Sequence, residues 1–187
     1  AVSGKTGFPL PALGIVRCLE SVLLIAIAWR LEKSTAAIGL DRTQILIGFM
    51  RGLIWSACFG IAAAILFMAL MASGVNALKF LYGARPSSWQ QIAVFLLVGG
   101  VLGPITEEIF FRGIIYGFLR RWGAVIAIIF STLIFIFTHP MGSSIPVTQL
   151  VGGIVFAVAY ETEQNLMVPI TIHCLGNLAI FSLTIFI

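Results

Sequence analysis

Residues 89–122 read WQQIAVFLLVGGVLGPITEEIFFRGIIYGFLRRW. The run is apolar and long enough to cross a bilayer, which takes about 20 residues of helix, but it is broken by Gly99-Gly100, Gly103-Pro104 and the adjacent acids Glu107-Glu108. Pro104 has no backbone N–H to donate, so it either kinks one long helix or separates two shorter ones. On that choice depends whether the chain has six or seven transmembrane helices.

Similar apolar runs lie on both sides. Upstream are about Leu10 to Leu31, ending in the polar Glu32-Lys33-Ser34-Thr35, and about Gln44 to Ala72, which exceeds what a bilayer requires and so tilts or extends into water. Downstream are about Gly123 to His139, Pro146 to Tyr160 and Leu166 to Ile187, joined by short loops at Pro140 to Ile145 and Glu161 to Asn165. Asn76 to Ser88, with Lys79, Arg85 and Pro86, reads as a loop. Inside the first span Arg17 and Glu20 can pair on one helical face or snorkel to the interface. The expected fold is all-α: a polytopic membrane helix bundle of six or seven transmembrane helices. Residues 1–187 form a single integral membrane domain, with a motif-bearing core at about 89–187.

Composition agrees. The chain is 60% hydrophobic and 10% charged, against about 25% charged residues in a soluble domain, and its mean hydropathy is +1.10. The net charge of +4 comes from basic residues beside or between the apolar spans, where they act as topology signals and do not form a nucleic-acid patch. Arg30, Lys33 and Arg42 favour a cytoplasmic first loop, and Arg120-Arg121 a cytoplasmic turn; both hold if residues 89–121 cross once. Cys18, Cys58 and Cys174 are widely spaced inside apolar stretches, which fits buried, unpaired thiols better than disulfides or a metal site. Ala1 to Pro11 is too polar for the core of a signal peptide, so no cleavable targeting segment is expected. Gly48 and Gly52, Gly99 and Gly103, and Gly113 and Gly117 have the four-residue spacing that lets helices approach closely.

A charge at the bilayer centre costs at least about 2.5 kcal/mol, which makes intramembrane ionisable groups candidates for function. Here they are Glu107, Glu108, Arg112, His139 and His173, with Asn177 as a polar companion. Glu108 and Arg112 are spaced to neutralise each other on one helix. Glu107 points about 100° away and is free to face another cavity. His139 ends an apolar span, with Phe135 one turn before it as a possible wall for the ring and Pro140 after it; such a histidine can also be a satisfied helix-end group. His173 and Asn177 project from one face of the last span, as two donors for an oxyanion or as an interhelical hydrogen bond.

A carboxylate, two histidines and an amide on three helices supply what water activation and oxyanion stabilisation require. Other protease chemistries fit less well. An aspartyl mechanism needs two aspartates and Asp41 stands alone; a zincin needs His-Glu-x-x-His, which is absent. Ser143 or Ser144 with His173 lacks a recognisable nucleophile setting. Cys174 adjoins His173 but points elsewhere on a helix.

The motifs resemble those of the CAAX protease and bacteriocin-processing (Abi) family, which includes the type II CAAX prenyl endopeptidases. Glu107-Glu108-Ile109-Phe110-Phe111-Arg112 matches Glu-Glu-x-x-x-Arg, Phe135 to His139 matches Phe-x-x-x-His, and His173 to Asn177 matches His-x-x-x-Asn. The resemblance covers about Trp89 to the C-terminus. It implies that Glu107 and His139 activate a water without metal or other cofactor, that His173 and Asn177 hold the oxyanion, and that Glu108 and Arg112 support them. It further implies a substrate that is a membrane-associated peptide or protein, lipidated or not, and a place in a bacterial inner (cytoplasmic) membrane. Two alternatives remain at this stage: a metal-dependent membrane protease using Glu107, His139 and His173, and a non-catalytic immunity or interaction protein or proton-coupled carrier. No internal repeat supports the carrier.

Overall fold

The computed structural model describes residues 9–76, 86–139 and 146–186. The readings made above for residues 1–8, for Lys79 and Arg85, and for Pro140, Ser143 and Ser144 fall outside these. Among the described residues the chain is built from helices, with no strand. We number them α1 (Leu10–Glu32), α2 (Ile45–Ala72), α3 (Trp89–Trp122), α4 (Ala124–Phe137), α5 (Val147–Glu163) and α6 (Met167–Phe186). Helices α1, α2, α3 and α6 are long and apolar enough to cross a membrane. Their outward faces carry large apolar side chains such as Leu19, Val22, Leu46 and Ile61, so the bundle is an integral membrane protein solvated by lipid.

Pro104 does not divide α3. Its ring would strike the carbonyl of Gly100 in a regular α-helix, but a wider π-helical turn at Val98–Leu102 precedes it, with the Gly103 N–H reaching back to Val98 O. The helix resumes at Gly103–Glu108 and widens again at Ile109–Tyr116. Glu107 and Glu108 therefore lie on the α-helical stretch between two π-helical ones, a distortion that recurs at functional sites.

Because α3 crosses once, its Arg120-Arg121 end lies on the same side as the α1–α2 connection. That connection folds inward through a short 3₁₀ turn, Thr35–Ile38, capped by Ser34, whose Oγ accepts from Ala36 N–H. Ile38 then packs at Gly113 of α3, where an added Cβ would lie 3.2 Å from the Ile38 Cβ. The same end is tied to α5 by Tyr116, whose hydroxyl donates to Glu161 at 2.6 Å, and by Arg120, which donates to Glu161 from Nε and Nη2. With Glu161 and Glu163 both partnered, α5 stays helical to Glu163, past the expected end at Tyr160.

Glycines set how close α6 comes. At Gly52 a Cβ would lie 2.5 Å from the Cβ of Thr171, at Gly48 it would strike Asn165, and at Gly99 it would lie 2.9 Å from Phe181. Gly103 and Gly117 meet no neighbouring helix in this way, so the small-residue spacing marks packing at Gly48, Gly52, Gly99 and Gly113 only. Asn165 locks the start of α6: its Oδ1 accepts from Met167 N–H and its Nδ2 donates to Gln44 O ahead of α2.

Helix α4 has 14 residues. At about 1.5 Å per residue it covers roughly 21 Å, short of the roughly 30 Å hydrocarbon core. Its far end, and His139 just beyond it, consequently stop at the depth of Glu107 inside the bundle.

Candidate active site

Three helices deliver the site. Glu107 comes from the middle of α3, His139 from the tip of α4, and His173 from the first half of α6. Glu107 Oε2 lies 3.9 Å from Nε2 of His139 and 3.9 Å from Nε2 of His173. The Glu107 and His139 side chains keep about a fifth of their surface exposed, at 20% and 24%, whereas His173 is buried. Of the four residues expected to converge, Glu107, His139 and His173 are brought together here, whereas the Asn177 amide is bonded to the Gly99 carbonyl.

Each imidazole is held from behind. His139 Nδ1 lies 2.8 Å from the Phe135 carbonyl, one turn earlier in its own helix. A carbonyl only accepts, so Nδ1 carries the proton and Nε2 faces Glu107. The Phe135 ring packs on His139 with centroids 4.5 Å apart, as the spacing suggests. His173 stacks on Phe156 of α5 at 4.5 Å and 21°, and its Nδ1 lies 2.7 Å from Glu108 Oε1. Facing an ionised carboxylate, that nitrogen donates and again turns Nε2 towards Glu107.

Glu108 and Arg112 form the expected pair, with Arg112 Nη1 donating to Glu108 Oε1 at 3.0 Å and both side chains fully buried. Spacing alone misses the rest. The same Glu108 oxygen also receives His173 Nδ1, so this acid joins the guanidinium to the site. Arg112 donates from Nη2 to the Gly153 carbonyl at 3.0 Å, and its guanidinium lies over the rings of Phe135 and Phe156 at 5.0 and 5.3 Å. Glu107 and Glu108 against Arg112 leave the cluster one positive charge short, and an imidazole can carry the missing proton.

Asn177, one turn beyond His173 on α6, donates from Nδ2 to the Gly99 carbonyl of α3 at 3.0 Å. Cys174 turns away, with Sγ 3.8 Å from Val101 O. On α1, Arg17 donates to Glu20 at 2.9 Å, and the Thr106 hydroxyl, beside Glu107, bonds Ser21 and the Arg17 carbonyl. The two Thr106 contacts hold α3 against α1 one residue before Glu107.

Comparison with known proteins places these residues in context. Residues 88–179 match the model of the type II CAAX prenyl endopeptidase Rce1-like family. Over 95 residues the chain is 36% identical to the membrane-embedded CAAX protease MroQ of Staphylococcus aureus (strain USA300), covering 47% of this chain and 38% of that protein. The chain thus spans well under half the length of the curated relative it matches. No solved structure matches it. The matched segment contains Glu107, Glu108, Arg112, His139, His173 and Asn177. Through residues 88–179 the chain belongs to the type II CAAX prenyl endopeptidase Rce1-like family.

Proposed function

We propose that the protein is a glutamate-type, metal-independent intramembrane endopeptidase that hydrolyses a peptide bond of a membrane-associated peptide or protein, lipidated or not. The observation that carries this reading is the single oxygen, Glu107 Oε2, set 3.9 Å from the Nε2 atoms of both histidines. That distance is too long for a direct hydrogen bond and suits groups that share a small polar reactant between them.

Glu107 takes a proton from water as the water oxygen attacks the scissile carbonyl carbon, with His139 orienting the water. His173, protonated on both ring nitrogens and steadied by Glu108 at Nδ1, donates from Nε2 to the oxyanion. Asn177 donates with the amide N–H that Gly99 does not use. When the intermediate collapses the C–N bond breaks, Glu107 returns its proton to the leaving amine, and the new C-terminus departs as a carboxylic acid. The name of the Staphylococcus relative, a membrane-embedded CAAX protease, supports proteolysis from within a membrane; the bacterial cytoplasmic membrane and a membrane-associated substrate are part of the same proposal.

The test uses purified protein in proteoliposomes and quenched fluorogenic peptides with and without an S-farnesyl cysteine. The wild type should cleave, Glu107→Gln should keep its melting temperature and cleave nothing, and a chelator should leave the rate unchanged. Cleavage by Glu107→Gln at the wild-type rate would sink the proposal. Activity lost to the chelator and restored by zinc would transfer the same residues to a metal-dependent mechanism.

A further inference from the structure

Asn177 meets α3 where that helix has a carbonyl to spare. The Gly99 carbonyl would accept from residue 103 in an α-helix and from residue 104 in a π-helix. The Gly103 N–H is directed at Val98 O, and residue 104 is a proline, which has no N–H. Gly99 is therefore left without a donor in either register, and the Asn177 amide fills the place at 3.0 Å. In a bilayer an unsatisfied carbonyl costs several kcal/mol, so the bond is strongly favoured. The glycines make it reachable. A Cβ on Gly99 would sit 2.9 Å from Phe181, and one on Gly100 would sit 2.5 Å from the Leu178 side chain.

We infer that Pro104 is a positioning residue for Asn177: by leaving the Gly99 carbonyl without a helical donor, it draws one N–H of the Asn177 amide onto α3 and so fixes the direction of the other. A primary amide is planar, so anchoring one N–H sets the plane in which the second N–H and Oδ1 lie. Without the anchor, Asn177 could turn about its side-chain torsions. The proline thus acts beyond shaping the helix, converting a missing backbone hydrogen into a fixed amide one turn beyond His173 on α6. The hydrogen bond stands independently of the proposed function; only its catalytic consequence rests on that reading.

Two variants restore the missing N–H: Pro104→Ala, and Pro104→Val, which also refills most of the ring's volume. Whether α3 keeps its wide turn or closes to an α-helix, Gly99 then gains a backbone donor. The first readout is hydrogen exchange of the side-chain amides in protein labelled with [15N]asparagine, in micelles. The chain has three asparagines, Asn76, Asn165 and Asn177, and the Asn177 signal is assigned by its loss in Asn177→Ala. Exchange of the Asn177 amide should accelerate at least tenfold in the proline variants, with Asn165, bonded to Gln44 O, unchanged as the internal control. Unaltered Asn177 exchange in a folded variant overturns the inference. So does failure of both variants to fold, since a proline needed for the fold itself would have another role.

The second readout is peptide cleavage. Pro104→Ala should lower kcat about tenfold with KM unchanged, and should lower it no further when added to Asn177→Ala. A merely structural proline would reduce the rate by the same factor in both backgrounds, which also overturns the inference. If the wild type cleaves nothing, the proposed protease function fails, and the exchange measurement alone decides the role of Pro104.

Discussion

Glu107 and Glu108 share one turn of α3 yet occupy different surroundings, and the difference assigns them different work. Glu108 is fully buried between Arg112 and His173, whereas Glu107 keeps 20% of its side chain exposed and faces two imidazole nitrogens. Breaking a buried ion pair by removing one partner costs about 3–5 kcal/mol, because the other charge is stranded. Glu108→Ala and Arg112→Ala should therefore melt well below the wild type in detergent, while Glu107→Gln should melt near it. Equal losses at both glutamates would remove the distinction. The Glu108–Arg112 pair is legible in the sequence because its partners are four residues apart on one helix. The contact between Glu108 and His173 is not, because it joins residues 65 apart and depends on how close α6 lies to α3. Phe156 and Gly153 escape for the same reason: nothing local distinguishes them from other apolar and small residues of α5.

At the scale of the helices, the apolar runs marked most ends to within a few residues, since each run must match the thickness of the bilayer. The course of α3 through Pro104 was undecided because a proline in a membrane helix can be absorbed by a wider turn, and that depends on what surrounds it. Here Gly99 and Gly100 admit α6, and α6 supplies the amide that compensates the lost backbone bond. The end of α5 at Glu163 was equally hidden, because partners on α2 and α3 keep its polar last turn helical. The α2–α6 contact offers a test at this scale. A side chain at Gly52 would run into Thr171, two residues before His173. Gly52→Leu should cost about 1–3 kcal/mol as overpacking and lower kcat by shifting His173 against Glu107. Gly60, with no neighbouring atom near its missing Cβ, should accept leucine without loss of either. If Gly52→Leu and Gly60→Leu behave alike, α2 does not set the position of α6.

For the whole molecule, the single crossing of α3 fixes the sidedness of every other helix. Odd helices α1 and α3 end where even helices α2 and α4 begin, and α5 ends at that same face beside Tyr116 and Arg120. Arg30, Lys33, Arg42, Arg51, Arg120 and Arg121 all gather at this face, which the positive-inside rule predicts to be the cytoplasmic one. Glu107 lies 15 residues before the Trp122 end of α3, or roughly 22 Å of helix, and the short α4 brings His139 only to that depth. Sidedness can be read with single cysteines placed by Lys33→Cys and Trp122→Cys after Cys18, Cys58 and Cys174 are replaced by serine. In bacterial spheroplasts an impermeant maleimide should label neither position while the membrane is intact and both once it is lysed. Both lie at helix ends with exposed side chains, and labelling after lysis shows that each can react. Labelling of one but not the other in intact spheroplasts would mean that α3 does not cross once, and the meeting of Glu107 with His139 and His173 would have to be rebuilt on another topology.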